Sequence, residues 1–234
     1  MTLLLLTLAV AVFSVLGGLA SRAMSTSLPG KQLRVLAAVG AGLLLASTLI
    51  VLIPEGFRTA ALTSEEQLEV ASDAEADGED GALFTHDAEE PLFVDDGSRF
   101  VVASELLGLT ILVGLAAMLL VERAGAGVLV RSLAGGLASG SIAISSGLGL
   151  AILVGFVAIA HHISVGARLG DSRQARRDKV LFSVVIVVAT ALSYLALEGG
   201  SETALSVTLL FSAGVFISAA VVSATGLFER SPTL

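Results

Sequence analysis

The stretch VGFVAIAHHISVGARL, residues Val154–Leu169, decides the class of fold and is the first place to look for chemistry. It is an apolar run that carries two of the chain's three histidines. All of it but Arg168 and Leu169 lies within the 44 residues between Arg123 and Arg168, whose only formal charge is Arg131. Uncharged runs near 20 residues match the thickness of a hydrocarbon core. Because the run is continuous rather than alternating, it favours membrane helices over a membrane barrel.

The composition of the whole chain points the same way. Hydrophobic residues make up 55% of the 234 residues and charged residues only 15%, and the mean hydropathy is +0.92. Since a bilayer core holds no water, each span must satisfy its own backbone hydrogen bonds. We therefore predict an all-α fold, a polytopic membrane helix bundle. Seven apolar runs supply its spans: Leu3–Ala20, Val35–Ile53, Val101–Val121, Gly125–Ile144, Leu148–Ala167, Val180–Leu197 and Ala204–Thr225.

Local signals refine these bounds. No basic residue precedes the first run, which is also long for a signal sequence, so we interpret it as an uncleaved span. The second span, Val35–Ile53, is expected to end in the sequence Pro54-Glu55-Gly56-Phe57-Arg58, where Pro54 would loosen the local backbone. The sequence Ser145-Ser146-Gly147 predicts a tight turn between the fourth and fifth spans.

The basic residues predict the orientation. When the loops are assigned to alternate sides, one side collects 11 of the 13 basic residues and the other only Arg58 and Arg99. Because basic loops stay in the cytoplasm, this places the N-terminus outside and the C-terminus inside. We expect a multi-pass protein of the cell (cytoplasmic) membrane, with the lipid bilayer as its first partner.

The charge distribution divides the chain into four parts. Residues 1–62 hold the first two spans, and residues 63–98 form an acidic extracytoplasmic loop with 13 of the 21 acidic residues. Residues 99–228 hold spans three to seven, and residues 229–234 are a C-terminal tail. Low hydrophobicity and like charge predict a solvated, disordered loop. Loose binding of cations is the alternative role for it.

Ionisable residues inside a membrane are costly and are therefore functional candidates. The candidates are Glu55, Arg58, Glu105, Arg131, His161 and His162. His161 and His162 are adjacent, so they project about 100° apart on a helix and cannot easily chelate one ion together. The residues four positions later, Val165 and Gly166, are not ligands. Either one imidazole binds a divalent metal with partners from other helices, or one or both histidines are neutral and hydrogen-bonded to serines or backbone carbonyls of neighbouring helices.

Further candidates lie on neighbouring spans. Glu55 is three residues before Arg58, which predicts an interfacial ion pair or, alternatively, an entrance carboxylate that would join the histidines as a metal ligand. Arg131, Ser139 and Ser164 are candidate residues of a transport path.

A small-residue motif predicts helix packing. Gly136 and Gly140 have the GxxxG spacing that lets helices approach closely. Such faces also permit a homodimer.

Several functional classes are excluded. The only lysines, Lys31 and Lys179, lie at predicted loop positions, so no retinal Schiff base can form in the last span. There is no cysteine for a thiolate metal site, and there is no GxSG setting for an intramembrane serine protease. A phosphate-binding loop is also missing. We expect neither an enzyme, nor a permanently bound cofactor, nor a nucleic-acid partner.

From about residue 30 to 225, the chain resembles the ZIP family of divalent-metal transporters, in particular its compact subgroup with a long polar loop after the second span. The second span closes with Pro54, Glu55 and Gly56, as that subgroup's second span does. The stretch around His161 and His162 is similar to the family's fifth span, which carries a His-(Glu/Asn)-x-Pro-(His/Glu) motif. Residues 209–220, LLFSAGVFISAA, are similar to the seventh span.

The chain departs from the family pattern at its metal-binding positions. The motif's proline is replaced by Ser164 or Val165, depending on the register. In the fourth span, Arg131 and Gly135 stand where the family has a histidine or asparagine and an acid. The family's eighth span has no counterpart after residue 225.

The resemblance implies transport of a divalent cation such as zinc, by a rocking or elevator-like alternation, through a reduced or altered metal site. In that case the metal would be a substrate. The alternatives are a degenerate structural or regulatory membrane homologue that does not transport, and a transporter of another solute, such as an anion attracted by Arg131.

Overall fold

The protein is a bundle of helices. The computed structural model describes residues 1–27, 29–62, 104–123, 125–151, 158–159, 161–163 and 172–228. All regular secondary structure in these ranges is helical. Six helices there are long and apolar enough to cross a membrane. We number them α1 (Thr2–Ser27), α2 (Gly30–Ser47, continued to residue 62), α3 (Ser104–Arg123), α4 (Gly127–Ser145), α5 (Arg173–Leu197) and α6 (Glu202–Phe228). The prediction of an all-α polytopic membrane bundle is confirmed.

Six of the seven predicted spans correspond to these helices. The predicted turn after α4 is also present, because α4 ends at Ser145 and Gly147 adopts a left-handed φ of 84° before helix resumes. Most of the predicted fifth span, Leu148–Ala167, lies outside the described residues. The acidic loop at 63–98 and the tail at 229–234 also lie outside them.

The second span does not end within residues 54–58, as predicted, but continues to Leu62. The reason lies one turn earlier, where Thr48–Leu52 forms a π-helical turn and the amide of Ile53 donates to the carbonyl of Thr48. A proline inside an α-helix removes one hydrogen bond and clashes with the carbonyl four residues before it. The wider π-turn relieves that conflict, so the helix passes through Pro54 and carries Glu55 and Arg58 on a further turn.

Helices α4 and α5 are parallel and pack closely. Cβ atoms placed on Gly135 and Gly140 would meet Ile186 and Ser193, respectively, so the two helices run in the same order along their contact. A Cβ on Gly136 would lie 2.7 Å from the amide nitrogen of Thr190. Gly136 and Gly140 thus lie at a close helix contact within one chain.

The remaining helix pairs have consistent directions. Helices α3 and α6 cross closely at Gly114 and Gly214, each of which faces the partner's backbone. Helix α1 runs antiparallel to α5, because Ser14 meets Ser183 while Arg22 lies beside Arg176. Helices α4 and α6 are the most buried, with 67% of their spans inside the bundle. They therefore form its centre.

The two ends of the bundle differ in charge. The start of α4, the start of α5 and the end of α1 lie at one end, which carries Arg131, Arg176 and Arg22 and is called the basic end. At the opposite end, the last turn of α2 meets the end of α4. Which end faces the cytoplasm stays a prediction from the basic residues.

Candidate metal site

His161 and His162 are buried between helices rather than facing lipid. They lie on the helical residues 161–163, which pack against α1 and α5, and their exposed fractions are 2% and 0%. Close packing at this point requires a glycine on α1. A Cβ on Gly17 would lie 2.9 Å from the Cα of Ile159 and 3.0 Å from the imidazole of His162. The imidazoles are thus held inside the protein at a fixed position.

His162 belongs to a hydrogen-bonded group with one serine from α1 and one from α5, which we call the histidine cluster: His162, Ser14 and Ser183. The Nε2 atom of His162 lies 3.0 Å from the hydroxyl of Ser14 and 3.3 Å from that of Ser183. Ser183 donates to the carbonyl of Lys179 at 2.8 Å, and Ser14 donates to Ser183 at 2.7 Å.

This network assigns the tautomer of His162. Each serine has one hydroxyl proton, and both protons are already used in donating to Ser183 and Lys179. Nε2 must therefore carry the proton and donate to the hydroxyl oxygens, which leaves a lone pair on Nδ1. The buried Nδ1 has no hydrogen-bond partner among the described residues. A neutral imidazole fixed through one nitrogen, with the other open, is the usual arrangement of a metal-ligating histidine.

His161 is held differently. Its ring stacks on Phe182, with the ring centroids 3.8 Å apart and the planes at 11°. The two imidazoles are 5.9 Å apart and inclined by 66°. The rings therefore diverge, as expected for adjacent helical residues, and His162 is the better placed of the two for binding an ion.

A cavity of about 330 Å³ leads from the histidine cluster to the basic end. It runs between α1, from Ser14 to Arg22, and α5, from Arg176 to Val184, and His162 lies in its lining. We call it the α1–α5 groove. A Cβ on Gly18 would meet nothing within 4 Å, so the groove is open at that residue.

Glu55 lies in a separate group at the opposite end, the ion cluster of Glu55, Arg58 and Ser146. Arg58 donates to both carboxylate oxygens of Glu55, at 3.1 and 2.9 Å, and to the Ser146 hydroxyl at 3.1 Å. Ser146 in turn donates to Glu55. The carboxylate is therefore already paired, and the cluster ties the last turn of α2 to the end of α4.

The structure does not bring Glu55 together with the two histidines. Within the ranges it describes, no group of three or more histidine, aspartate or glutamate side chains is placed to hold a metal ion. Glu55 meets Arg58 and the end of α4, whereas His162 meets α1 and α5. Ser14 and Ser183 lie on Nε2 of His162, so a metal at Nδ1 would have to take its further ligands from water.

The predicted path residues are accounted for individually. Arg131 is buried in the first turns of α4 and pairs with Glu122 at the end of α3, at 2.8 Å. Ser139 is also buried, and its hydroxyl donates to the carbonyl of Gly135 one turn earlier in its own helix. Ser164 lies outside the described residues.

Sequence reasoning missed the residues that hold His162. Ser14 is 148 residues away in the chain and Ser183 is 21 residues away. The available signal was weak: each is a polar residue inside an otherwise apolar span. Glu122, the partner of Arg131, was missed as well because it lies at the end of another helix.

Comparison with known proteins finds distant relatives. The chain is 28% identical to the protein named zinc transporter ZIP9 of Xenopus tropicalis over 266 aligned positions, which cover 93% of this chain and 82% of that protein. It is 27% identical to zinc transporters ZIP9-B and ZIP9-A of Xenopus laevis, with the same coverage. No family model matches the chain. No solved structure matches it significantly.

Proposed function

We propose that the chain is a ZIP-like membrane transporter of divalent metal cations such as zinc, with an altered metal site at His162. The similarity to zinc transporters over 93% of the chain supports the class of function. The six candidate spans and their consistent directions support a transporter-like bundle. The named activity of the relatives also favours a transporter over an enzyme.

The open Nδ1 of His162 carries the proposal. A neutral imidazole that is fixed by two serines and buried beside a cavity can bind a borderline metal ion such as Zn²⁺. Transport also requires that the ion be released, so a site with few protein ligands fits passage better than permanent storage. Water would complete the coordination, since Ser14 and Ser183 contact the other ring nitrogen, Nε2. The ion is a substrate here.

The helix packing suggests how such a site would change sides. Helices α4 and α5 pack through Gly136 and Gly140, and α3 packs on α6 through Gly114 and Gly214. These are two closely fitted pairs. We propose that the pair α4–α5, together with α1 and residues 161–163, moves against α2, α3 and α6 and carries His162 between the two ends. This motion requires two contacts of α4 to open, Arg58–Ser146 with α2 and Arg131–Glu122 with α3. The cell membrane, with the basic end in the cytoplasm, is the proposed location.

A second candidate is a homologue that does not transport. The described residues hold no cluster of three ligands, and Gly135 stands where the family resemblance implies an acid. Phe182, on which His161 stacks, is one turn from Ile186, which contacts Gly135. The missing acid thus lies at about the depth of the histidines. An anion transporter is less favoured, because Glu122 neutralises the charge of Arg131.

Zinc uptake by reconstituted vesicles tests the proposal. Vesicles that hold the wild-type chain should accumulate zinc above protein-free vesicles, and His162→Ala should lose this uptake. His86→Ala, which removes the one histidine in the acidic loop, is the matched control and should retain it. Wild-type uptake equal to that of protein-free vesicles would overturn the transporter proposal.

The same assay separates the two candidates. If the site is degenerate, Gly135→Asp should gain uptake that the wild type lacks. A Cβ on Gly135 would lie 3.0 Å from the tip of Ile186 and 3.7 Å from Phe216, so Ile186 must shift to admit the new side chain. If the wild type is active, equal uptake by wild type, His161→Ala and His162→Ala would remove both histidines from the mechanism.

A further inference from the structure

The α1–α5 groove has the chemical profile of a binding site for one anionic phospholipid. Its residues change character along its length. At the basic end, Arg22, Arg176 and Lys179 line it, whereas Leu19, Val180 and Val184 line its apolar walls. We propose that the groove binds an anionic phospholipid, with its phosphate among the three basic side chains and an acyl chain along the apolar walls. This proposal does not rest on the proposed transport function.

The depth of each group supports this orientation. Helices rise about 1.5 Å per residue, so Arg22 lies about 12 Å beyond Ser14 toward the basic end. Lys179 lies about 6 Å beyond Ser183 in the same direction. The charges therefore sit where a span meets the headgroup region, and the apolar walls continue toward the bilayer core. A lipid has the same sequence of charged and apolar groups.

The charge of this region favours an anion over a cation. The first two turns of α5 hold four basic residues, Arg173, Arg176, Arg177 and Lys179, against one acid, Asp178. Arg22 approaches from α1. Basic pockets between spans at the cytoplasmic face are typical sites for anionic headgroups.

Two further observations point to an occupant. A Cβ on Gly18 would meet nothing within 4 Å, so the groove wall is recessed at the level of a first acyl-chain segment. The apolar walls open to the bilayer on the side of Leu19, which is 61% exposed.

The absence of tryptophan from the sequence makes a direct test practical. Leu19→Trp places a single fluorophore at the groove, three residues before Arg22. Leu120→Trp is the matched control: it lies three residues before Arg123 at the same end of the bundle, on the exposed face of α3. Each full-length variant is reconstituted in phosphatidylcholine vesicles that contain a minor fraction of brominated phosphatidylglycerol or brominated phosphatidylcholine, and quenching is compared.

We expect phosphatidylglycerol to quench Leu19→Trp more strongly than phosphatidylcholine and to quench Leu120→Trp equally. Each basic residue near a membrane surface contributes about a fivefold preference for anionic lipid. Arg22→Gln with Arg176→Gln should therefore lower the preference by about 25-fold. Arg177→Gln with Arg173→Gln, the same charge change on two α5 arginines outside the groove lining, should leave most of it.

Other outcomes would overturn the proposal. Equal quenching of Leu19→Trp by both lipids would show that no anionic lipid is selected. Loss of the preference on addition of inorganic phosphate would assign the groove to a free anion. A further variant tests the recess without changing any charge. Gly18→Leu, at a position where a Cβ meets nothing within 4 Å, should reduce the quenching of Leu19→Trp by brominated phosphatidylglycerol. Gly42→Leu, at a similarly open glycine on α2, should leave that quenching unchanged.

Discussion

The histidine cluster and the ion cluster both join polar side chains from different helices, yet they are built for different tasks. In the ion cluster, Glu55 accepts from Arg58 through both oxygens and from Ser146, so its charge is balanced and its hydrogen bonds are filled. In the histidine cluster, the described residues hold His162 through Nε2, and none of them is a hydrogen-bond partner of Nδ1. A filled cluster fastens helices together, whereas a fixed but incomplete one is ready for a ligand. Transport should therefore depend on the second cluster and stability on the first.

The largest expected effect comes from removing the open nitrogen. His162→Leu replaces the imidazole by an apolar side chain of similar size. The hydrogen bonds from Ser14 to Ser183 and from Ser183 to Lys179 remain. Zinc uptake should fall to the level of protein-free vesicles, while the unfolding midpoint in a detergent titration stays close to the wild type. If His162→Leu unfolds at a lower denaturant concentration but transports zinc normally when folded, the histidine cluster serves stability rather than transport.

The next effect is on stability. Glu55→Gln removes the charge that Arg58 and Ser146 share, and hydrogen bonds to charged groups contribute about 1.5–3 kcal/mol. The free energy of unfolding should fall by about that amount, without loss of uptake per folded molecule. Arg58→Gln should cost less, because the Arg58 side chain is 55% exposed. The same unfolding titration is applied to the double variant. If its loss of unfolding free energy equals the sum of the two single losses, Glu55 and Arg58 are not coupled.

Each cluster contains a serine that can be changed to alanine, and the expected effects of these matched changes are smaller. Ser14→Ala removes the hydroxyl that fixes Nε2 of His162, and loss of such a supporting partner lowers metal affinity about 10–100-fold. The zinc concentration for half-maximal uptake should rise accordingly. Ser146→Ala, the corresponding change in the ion cluster, should leave that concentration unchanged. An equal shift in both variants would mean that neither serine acts through a metal ligand.

The smallest expected difference between the two clusters is in how their coupling energies respond to salt. At 1 M salt the screening length is about 3 Å, so the partly exposed Glu55–Arg58 pair should lose a few tenths of a kcal/mol of coupling. The neutral histidine cluster has no such charge pair among its three members. Double-mutant cycles at low and high salt check this expectation, and a salt-independent coupling would contradict it.

The sequence predicted the parts of the fold that depend on local pattern. Hydropathy located six described spans, and the turn at Gly147 and the close contact at Gly136 and Gly140 followed from local motifs. The sequence-based prediction failed where the local structure depends on distant residues or on a compensating distortion of the helix. Pro54 is carried inside a helix by a π-turn that no simple period predicts.

The candidate site was predicted only in part, for the same reason. The sequence placed two adjacent histidines in a predicted span and offered serines of neighbouring helices as possible partners. It did not identify Ser14 and Ser183, which lie on helices that are separated in sequence from His162. Glu55 looked like a third ligand because it is a membrane carboxylate at the end of a span. Its hydrogen bonds to Ser146 arise only after α2 and α4 have packed, so they could not be read from spacing.

X-ray absorption at the zinc edge tests the central claim most directly, because it reports the atoms bound to the ion. The sample is the full chain in the His86→Gln background, frozen with one equivalent of zinc. We predict an imidazole signature with a zinc–nitrogen distance of about 2.0 Å, together with oxygen ligands. This signature should disappear in His162→Leu and persist in Glu55→Gln. A spectrum of oxygen ligands alone, identical with and without His162, would contradict the account.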